Sequence, residues 1–111
     1  MKDNLIVKLS FDFALHTIKF TRILESEKKY IIANQLFRSG TSIGANVNEA
    51  QGAESKDDFR HKMKIAYKEA EETRYWLLLC LHSENYPDTS DLLLKIEQII
   101  RVLGKIISST K

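Results

Sequence analysis

This sequence is poor in the residues that interrupt helices. Among 111 residues there is one proline, Pro87, and there are four glycines. An all-β sandwich or barrel needs frequent turn residues, so that class is excluded as an expectation. Long segments are left free of helix breakers. A single cysteine, Cys80, cannot close an internal disulfide. With no recognisable signal peptide, it points to the reducing cytoplasm. The longest apolar run, Trp76–Leu81, falls far short of the roughly 20 residues that span a bilayer. His16, His61 and His82 are scattered, and no two stand one helical turn apart. No metal and no other cofactor is therefore expected. A large excess of either charge is also missing. Lys+Arg number 17 against 15 Asp+Glu, a net charge of +2. That excludes strong polycation behaviour but leaves room for a local basic face.

What is present is ordinary globular composition, 43% apolar and 29% charged, and the length suits one domain over residues 1–111. Four helical segments follow from the periodicity. The first covers Asn4–Leu24 and carries two stripes: Phe13, Thr17, Phe20 and Leu24 on one side, and Phe11, Leu15, Ile18 and Arg22 on another. Two stripes predict contact on more than one side. The second helix covers Lys29–Glu49, with Ile32, Leu36, Ile43, Val47 and Ala50 as its apolar row and Ser39 as an interruption. Gly40 and Gly44, four apart, either kink this helix or form a smooth strip against a neighbour. Gly52 is expected to end it in a left-handed conformation.

Ser55 caps the third helix, Lys56–His82, and Asp57 and Asp58 suit its first turn. Phe59, Met63, Ala66, Ala70, Thr73, Leu77 and Cys80 alternate four and three apart, the seam of near-antiparallel helix packing. On that seam Cys80 reads as a buried, inert thiol. Asn85, Pro87 and Asp88 mark a turn. Thr89 or Ser90 caps the last helix, which reaches about Ser109 with Leu93, Ile96, Ile100, Leu103 and Ile107 on its seam. The fold expected is all-α, an antiparallel up-down-up-down four-helix bundle.

Enzymatic chemistry finds no foothold. Glu69 and Glu72 stand three apart, but the Glu-x-x-His of di-iron bundles is missing. Helical-bundle ribonucleases commonly separate an Arg and a His by a short spacer. Here Arg60-His61 has none, and the gap from Arg74 to His82 is too long. No nucleophile triad and no phosphate-cradling glycine loop is legible. The chain is expected not to be an enzyme.

The basic residues of the third helix say more. Arg60, Lys64 and Lys68 lie at i, i+4 and i+8 and so line one face. From Lys56 to Lys68 there are five Lys/Arg and two Asp, a local +3. Such a stripe either is a solvated face or follows a phosphate backbone. Repetition in a ring of subunits would join stripes into one positive surface. Trp76 lies about 100° from the seam, beside Ile65, Glu69 and Glu72. It reads either as an interface anchor or as the edge of a wide core stripe.

Two stretches carry a family resemblance. Leu36-Phe37-Arg38-Ser39-Gly40-Thr41-Ser42-Ile43-Gly44-Ala45-Asn46-Val47-Asn48-Glu49-Ala50 shows an Arg, then Ser-Ile, then Asn-hydrophobic-x-Glu. The run Phe59 to Leu77, with Glu69, Glu72, Tyr75 and Trp76, resembles the second signature. Together they resemble the bundle proteins encoded within intervening sequences of bacterial 23S ribosomal RNA genes. The pattern departs at Ala50-Gln51-Gly52, where many relatives carry Glu-Gly.

The resemblance implies a homopentamer without enzymatic activity. It also implies kinship with the accessory variability protein of retroelements, a basic barrel-shaped pentamer that binds nucleic acid and a reverse transcriptase. On this reading Arg60, Lys64 and Lys68 contact RNA or DNA, with Arg38, Lys19 and Arg22 as secondary candidates. Trp76, Ile65, Glu69, Glu72, Asn46 and Ser42 fix bundle register or subunit contacts, the polar ones through buried or interfacial hydrogen bonds. The alternative is a scaffold that presents its surface to a protein partner and binds no nucleic acid. Neither reading needs a membrane.

Overall fold

The computed structural model describes residues 4–111; the first three residues of the expected single domain lie outside it. Four helices follow in order: α1 (Leu5–Ser26), α2 (Tyr30–Ala50), α3 (Lys56–His82) and α4 (Ser90–Ser109). Short connections force successive helices to run antiparallel. α1 packs on α2, α2 on α3 and α3 on α4, and α4 closes more thinly back on α1. This is the expected up-down-up-down bundle, drawn out to 45 × 22 × 19 Å.

Most of the periodic rows become the core, but Ile32 of the expected α2 row and Ile100 and Ile107 of the expected α4 seam are only half-buried. Phe13, Thr17, Phe20 and Leu24 of α1 are buried, and so is every seam residue of α3 except the half-buried Phe59. Leu92, Leu93, Ile96, Ile99 and Leu103 complete the core from α4. Each large aliphatic removed from water contributes roughly 1.5–3 kcal/mol. The hydroxyls of Ser10 and Thr17 donate to carbonyls one turn back, Ile6 O at 2.8 Å and Phe13 O at 2.9 Å. Their burial is thereby satisfied within α1.

α2 runs unbroken through Gly40-Thr41-Ser42. A Cβ on Gly40 would stand 2.8 Å from both Cγ2 and Oγ1 of Thr17, and one on Gly44 would stand 3.2 Å from the Ser10 carbonyl oxygen. These glycines therefore serve the close approach of α1, the smooth-strip alternative.

Two expected helix ends are corrected. Gly52 is not left-handed; among the described residues those with positive φ are Lys28 (64°) and Asn85 (66°). α2 instead unwinds through tight i to i+3 bonds, Gln51 N–H to Asn48 O, Gly52 N–H to Glu49 O and Ala53 N–H to Ala50 O. That tightening ends a helix without a left-handed residue. At α4, Thr89 occupies the cap position, but its hydroxyl donates to Leu77 O of α3 at 2.8 Å. Asp88 accepts from the N–H and hydroxyl of Ser90 in its stead. At α3 the expectation holds: Ser55 Oγ accepts from Asp58 N–H at 3.0 Å, and Asp58 reaches back to Glu54 N–H. The salt link to Lys62, 2.8 Å away, holds the Asp58 carboxyl below its ordinary value.

Candidate functional site

The bundle sorts the candidate residues onto separate faces. Arg60, Lys64 and Lys68 come together, as their spacing requires. With Tyr67 of α3 and Gly104, Ile107 and Ser108 of α4 they line an open groove of about 360 Å³. Arg60 Nε donates to Ile107 O at 3.0 Å, fastening the half-buried guanidinium to the last turn of α4. That carbonyl belongs to the negative end of the helix, a favourable seat for a cation. Among the described residues, none of the three cations has an acidic partner within ion-pair distance. Arg101 lines the adjoining groove, where Glu71 and Glu97 sit beside Arg74. Arg74 is paired with Glu97 at 3.5 Å. The three groove cations fall within about 12 Å of helix, eight residues from Arg60 to Lys68.

The secondary candidates lie elsewhere. Lys19 and Arg22 are exposed on α1 and flank Leu15 and Ile18 on its outward stripe. Among the described residues that stripe is left largely open: Phe11 is 63% exposed and Leu15 46%, and Phe37 of α2 is exposed as well. Arg38 reaches to α3, where its Nη2 donates to Glu72 Oε2 at 2.8 Å, and it also donates within α2 to Gln35 Oε1 at 2.9 Å. α1 and α3 stand diagonally across the bundle. In one chain, then, the six basic candidates do not form a single surface.

Around Arg38 the residues assigned to register or interface form a polar strip between α2 and α3. Glu72 Oε2 accepts a second bond from the indole of Trp76, at 3.0 Å. Trp76 is half-buried and meets Tyr75 edge-to-face, ring centres 5.4 Å apart. The hydroxyls of Ser39 and Thr73 hydrogen-bond at 2.9 Å, and both residues are wholly buried. This antiparallel register sets Ser42 and Asn46 level with Glu69 and Ile65. Ser42 and Asn46 themselves donate within α2, to Arg38 O and Ser42 O. Inside the chain the register-fixing bonds are therefore those of Arg38 and Ser39. Glu69 Oε1 is buried without a hydrogen-bond partner. Burial, reinforced by the neighbouring Glu72 charge, raises the Glu69 carboxyl above its ordinary value.

Cys80 is buried, and desolvation pushes its thiol up to about 11, as suits an inert core sulfur. Among the described residues no three His, Cys, Asp or Glu side chains gather as a metal site, and no helix is long and apolar enough to cross a membrane.

Sequence periodicity does not single out Tyr67, Gly104 or the Ser39–Thr73 bond. Each depends on which helix lies alongside. The available signal for Gly104 is its place inside an apolar helix that does not break there.

The model of the 23S rRNA-intervening sequence protein family matches residues 2–106. The chain belongs to this family. Among solved structures it is similar to a protein of unknown function from the S23 ribosomal protein family of Bacteroides thetaiotaomicron. The two share 36% identity, covering 94% of this chain and 99% of that one, with a TM-score of 0.89. No curated protein matches. For this 23S rRNA-intervening sequence protein, family membership thus agrees with the bundle and assigns no activity.

Proposed function

We propose that this chain is a non-enzymatic, cytoplasmic bundle protein that assembles with itself, as a pentameric ring, and binds RNA or DNA through a shared basic surface. The observation that carries the reading is the groove of Arg60, Lys64 and Lys68, three cations drawn together with no carboxylate of the described residues within ion-pair distance. Releasing counterions from phosphates is what such a cluster does well. A ring would repeat the groove around its axis, raising affinity by multivalency. Self-assembly draws support from the outward Phe11, Leu15 and Ile18 stripe, an apolar row that a second copy would cover.

Binding of a labelled oligonucleotide across a salt series tests the function. Affinity should fall with a log–log slope of about −0.7 to −0.9 for each phosphate neutralised. Affinity indifferent to salt, or unchanged in the Lys64→Glu/Lys68→Glu variant, refutes the reading. Light scattering tests the ring: a mass near the 12.8 kDa of one chain at micromolar concentration rules it out. The same apolar stripe supports the alternative, a protein-interaction scaffold. A partner retained after nuclease treatment, with no oligonucleotide affinity, would favour that role.

A further inference from the structure

Gly104 is the starting point. It lies inside α4, where glycine weakens a helix relative to alanine. Its φ is not positive, so no backbone conformation demands it. Close packing does not demand it either. A Cβ there would meet only Tyr67 Cε2, at 3.8 Å, an ordinary contact. Gly40 and Gly44 are explained by the approach of α1; nothing within the chain explains Gly104 in the same way. What its missing side chain does is keep open the groove between Tyr67 and Ile107.

That groove joins two chemistries. Its walls are the half-buried Tyr67 ring and the Ile107 side chain, and its rim is Arg60, Lys64 and Lys68. At about 360 Å³ it lies at the small end of ligand sites, roughly 300–1,000 Å³. An open groove of this size has room for one aromatic or heteroaromatic ring lying over Gly104, with anionic groups carried on either side of it.

We infer that the groove takes an unpaired nucleotide of a single strand, its base laid over Gly104 against Tyr67 and Ile107 and its flanking phosphates held by Lys64, Lys68 and Arg60. This rests on the nucleic-acid reading above and adds the strand state. In a duplex the bases are stacked on each other and only phosphates reach the rim, so the slot stays empty. A single strand offers both parts, and aromatic platforms beside cationic tracks hold such strands without regard to sequence.

The probes are a fluorescent oligothymidylate, the same strand paired with its oligoadenylate complement, and thymidine monophosphate as competitor. The wild-type chain should bind the single strand about tenfold more tightly than the duplex, the factor one stacked base supplies. Gly104→Leu fills the slot and should bring the single strand down to duplex affinity. Gly104→Ala, whose Cβ fits, should keep the preference. Tyr67→Leu, which removes the stacking ring, should lose it, and covers the case in which Gly104→Leu does not fold. Lys64→Glu/Lys68→Glu should weaken both forms alike.

Equal binding of the two forms, unchanged by Gly104→Leu, overturns the slot and leaves the basic surface standing. Absence of all binding at low salt overturns both. Thymidine monophosphate competing as well as the oligonucleotide would mark a mononucleotide site and overturn the strand assignment.

Discussion

The same substitution should have opposite signs at two glycines of this bundle. Gly104→Ala adds helix propensity and a normal contact with Tyr67 at 3.8 Å. It should stabilise the chain by about 0.5–1 kcal/mol. Gly40→Ala gains the same propensity but drives its methyl to 2.8 Å from two atoms of Thr17, with Thr17 Cβ itself at 3.3 Å. Rotating Thr17 cannot clear both branches, because only its hydrogen is small and the hydroxyl is tied to Phe13 O. Overpacking of this kind costs about 1–3 kcal/mol, so after the propensity gain the net change is a loss of up to about 2.5 kcal/mol. Urea unfolding at one fixed protein concentration, followed by far-ultraviolet circular dichroism, reads both values. Thr17→Ala removes the obstructing branches. In a double-mutant cycle with Gly40→Ala it should therefore show a favourable coupling near 1 kcal/mol. Gly40→Ala stabilising as much as Gly104→Ala, with no coupling to Thr17, would refute the account of how α1 and α2 meet.

Three further outcomes follow from the polar strip and the open face. Thr73→Val keeps shape but strands the buried Ser39 hydroxyl, so stability should drop by about 1–3 kcal/mol, and adding Ser39→Ala should recover part of it in the same urea assay. Glu69 is raised, so the folded chain binds its proton more readily than the unfolded one. Stability falls as pH climbs from the ordinary carboxylate value through the raised one. Glu69→Gln should therefore stabilise the chain at neutral pH and lose that advantage at acid pH, read from urea midpoints across a pH series. Phe11→Asp places a charge on the outward stripe of α1; circular dichroism should stay helical while the mass by light scattering falls to that of one chain.

The helices were legible because their causes are local. The α3 boundaries, Lys56–His82, coincide with expectation because the Ser55 cap and the four-three seam each act within a few residues. The misread ends share another property. Gly52 was expected to turn left-handed on composition alone, yet the chain ended α2 by tightening its bonds. Thr89 or Ser90 suits the cap of α4 by sequence, yet the Thr89 hydroxyl finds the Leu77 carbonyl, twelve residues earlier and on another helix. Ser39 is the sharpest instance. In its own helix it interrupts the apolar row, and only the antiparallel register of α3 shows that Thr73 completes it.

The basic face divides along the same line. Spacing alone puts Arg60, Lys64 and Lys68 on one side of a helix, and the structure keeps them together. What spacing cannot show is which helix forms the other wall, and that wall changes the chemistry. Had α4 presented a bulky side chain at position 104, the stripe would be a solvated row of charge, able to hold phosphates of any nucleic acid. Because it presents glycine, with Tyr67 opposite, the row becomes the rim of a slot. A net charge of +2 is compatible with either surface. The distinction lies in a missing side chain, which no sum of charges records. Arg38, Lys19 and Arg22 carry the same charge without such a neighbour. Arg38 is held by Glu72, while the other two stand beside an apolar stripe suited to a second copy of the chain. If the ring forms, these cations are set apart from the groove by role as well as by place: one stabilises the α2–α3 register and two border a subunit contact. Replacing Lys19 and Arg22 together should then change assembly before it changes the affinity of each groove for a strand.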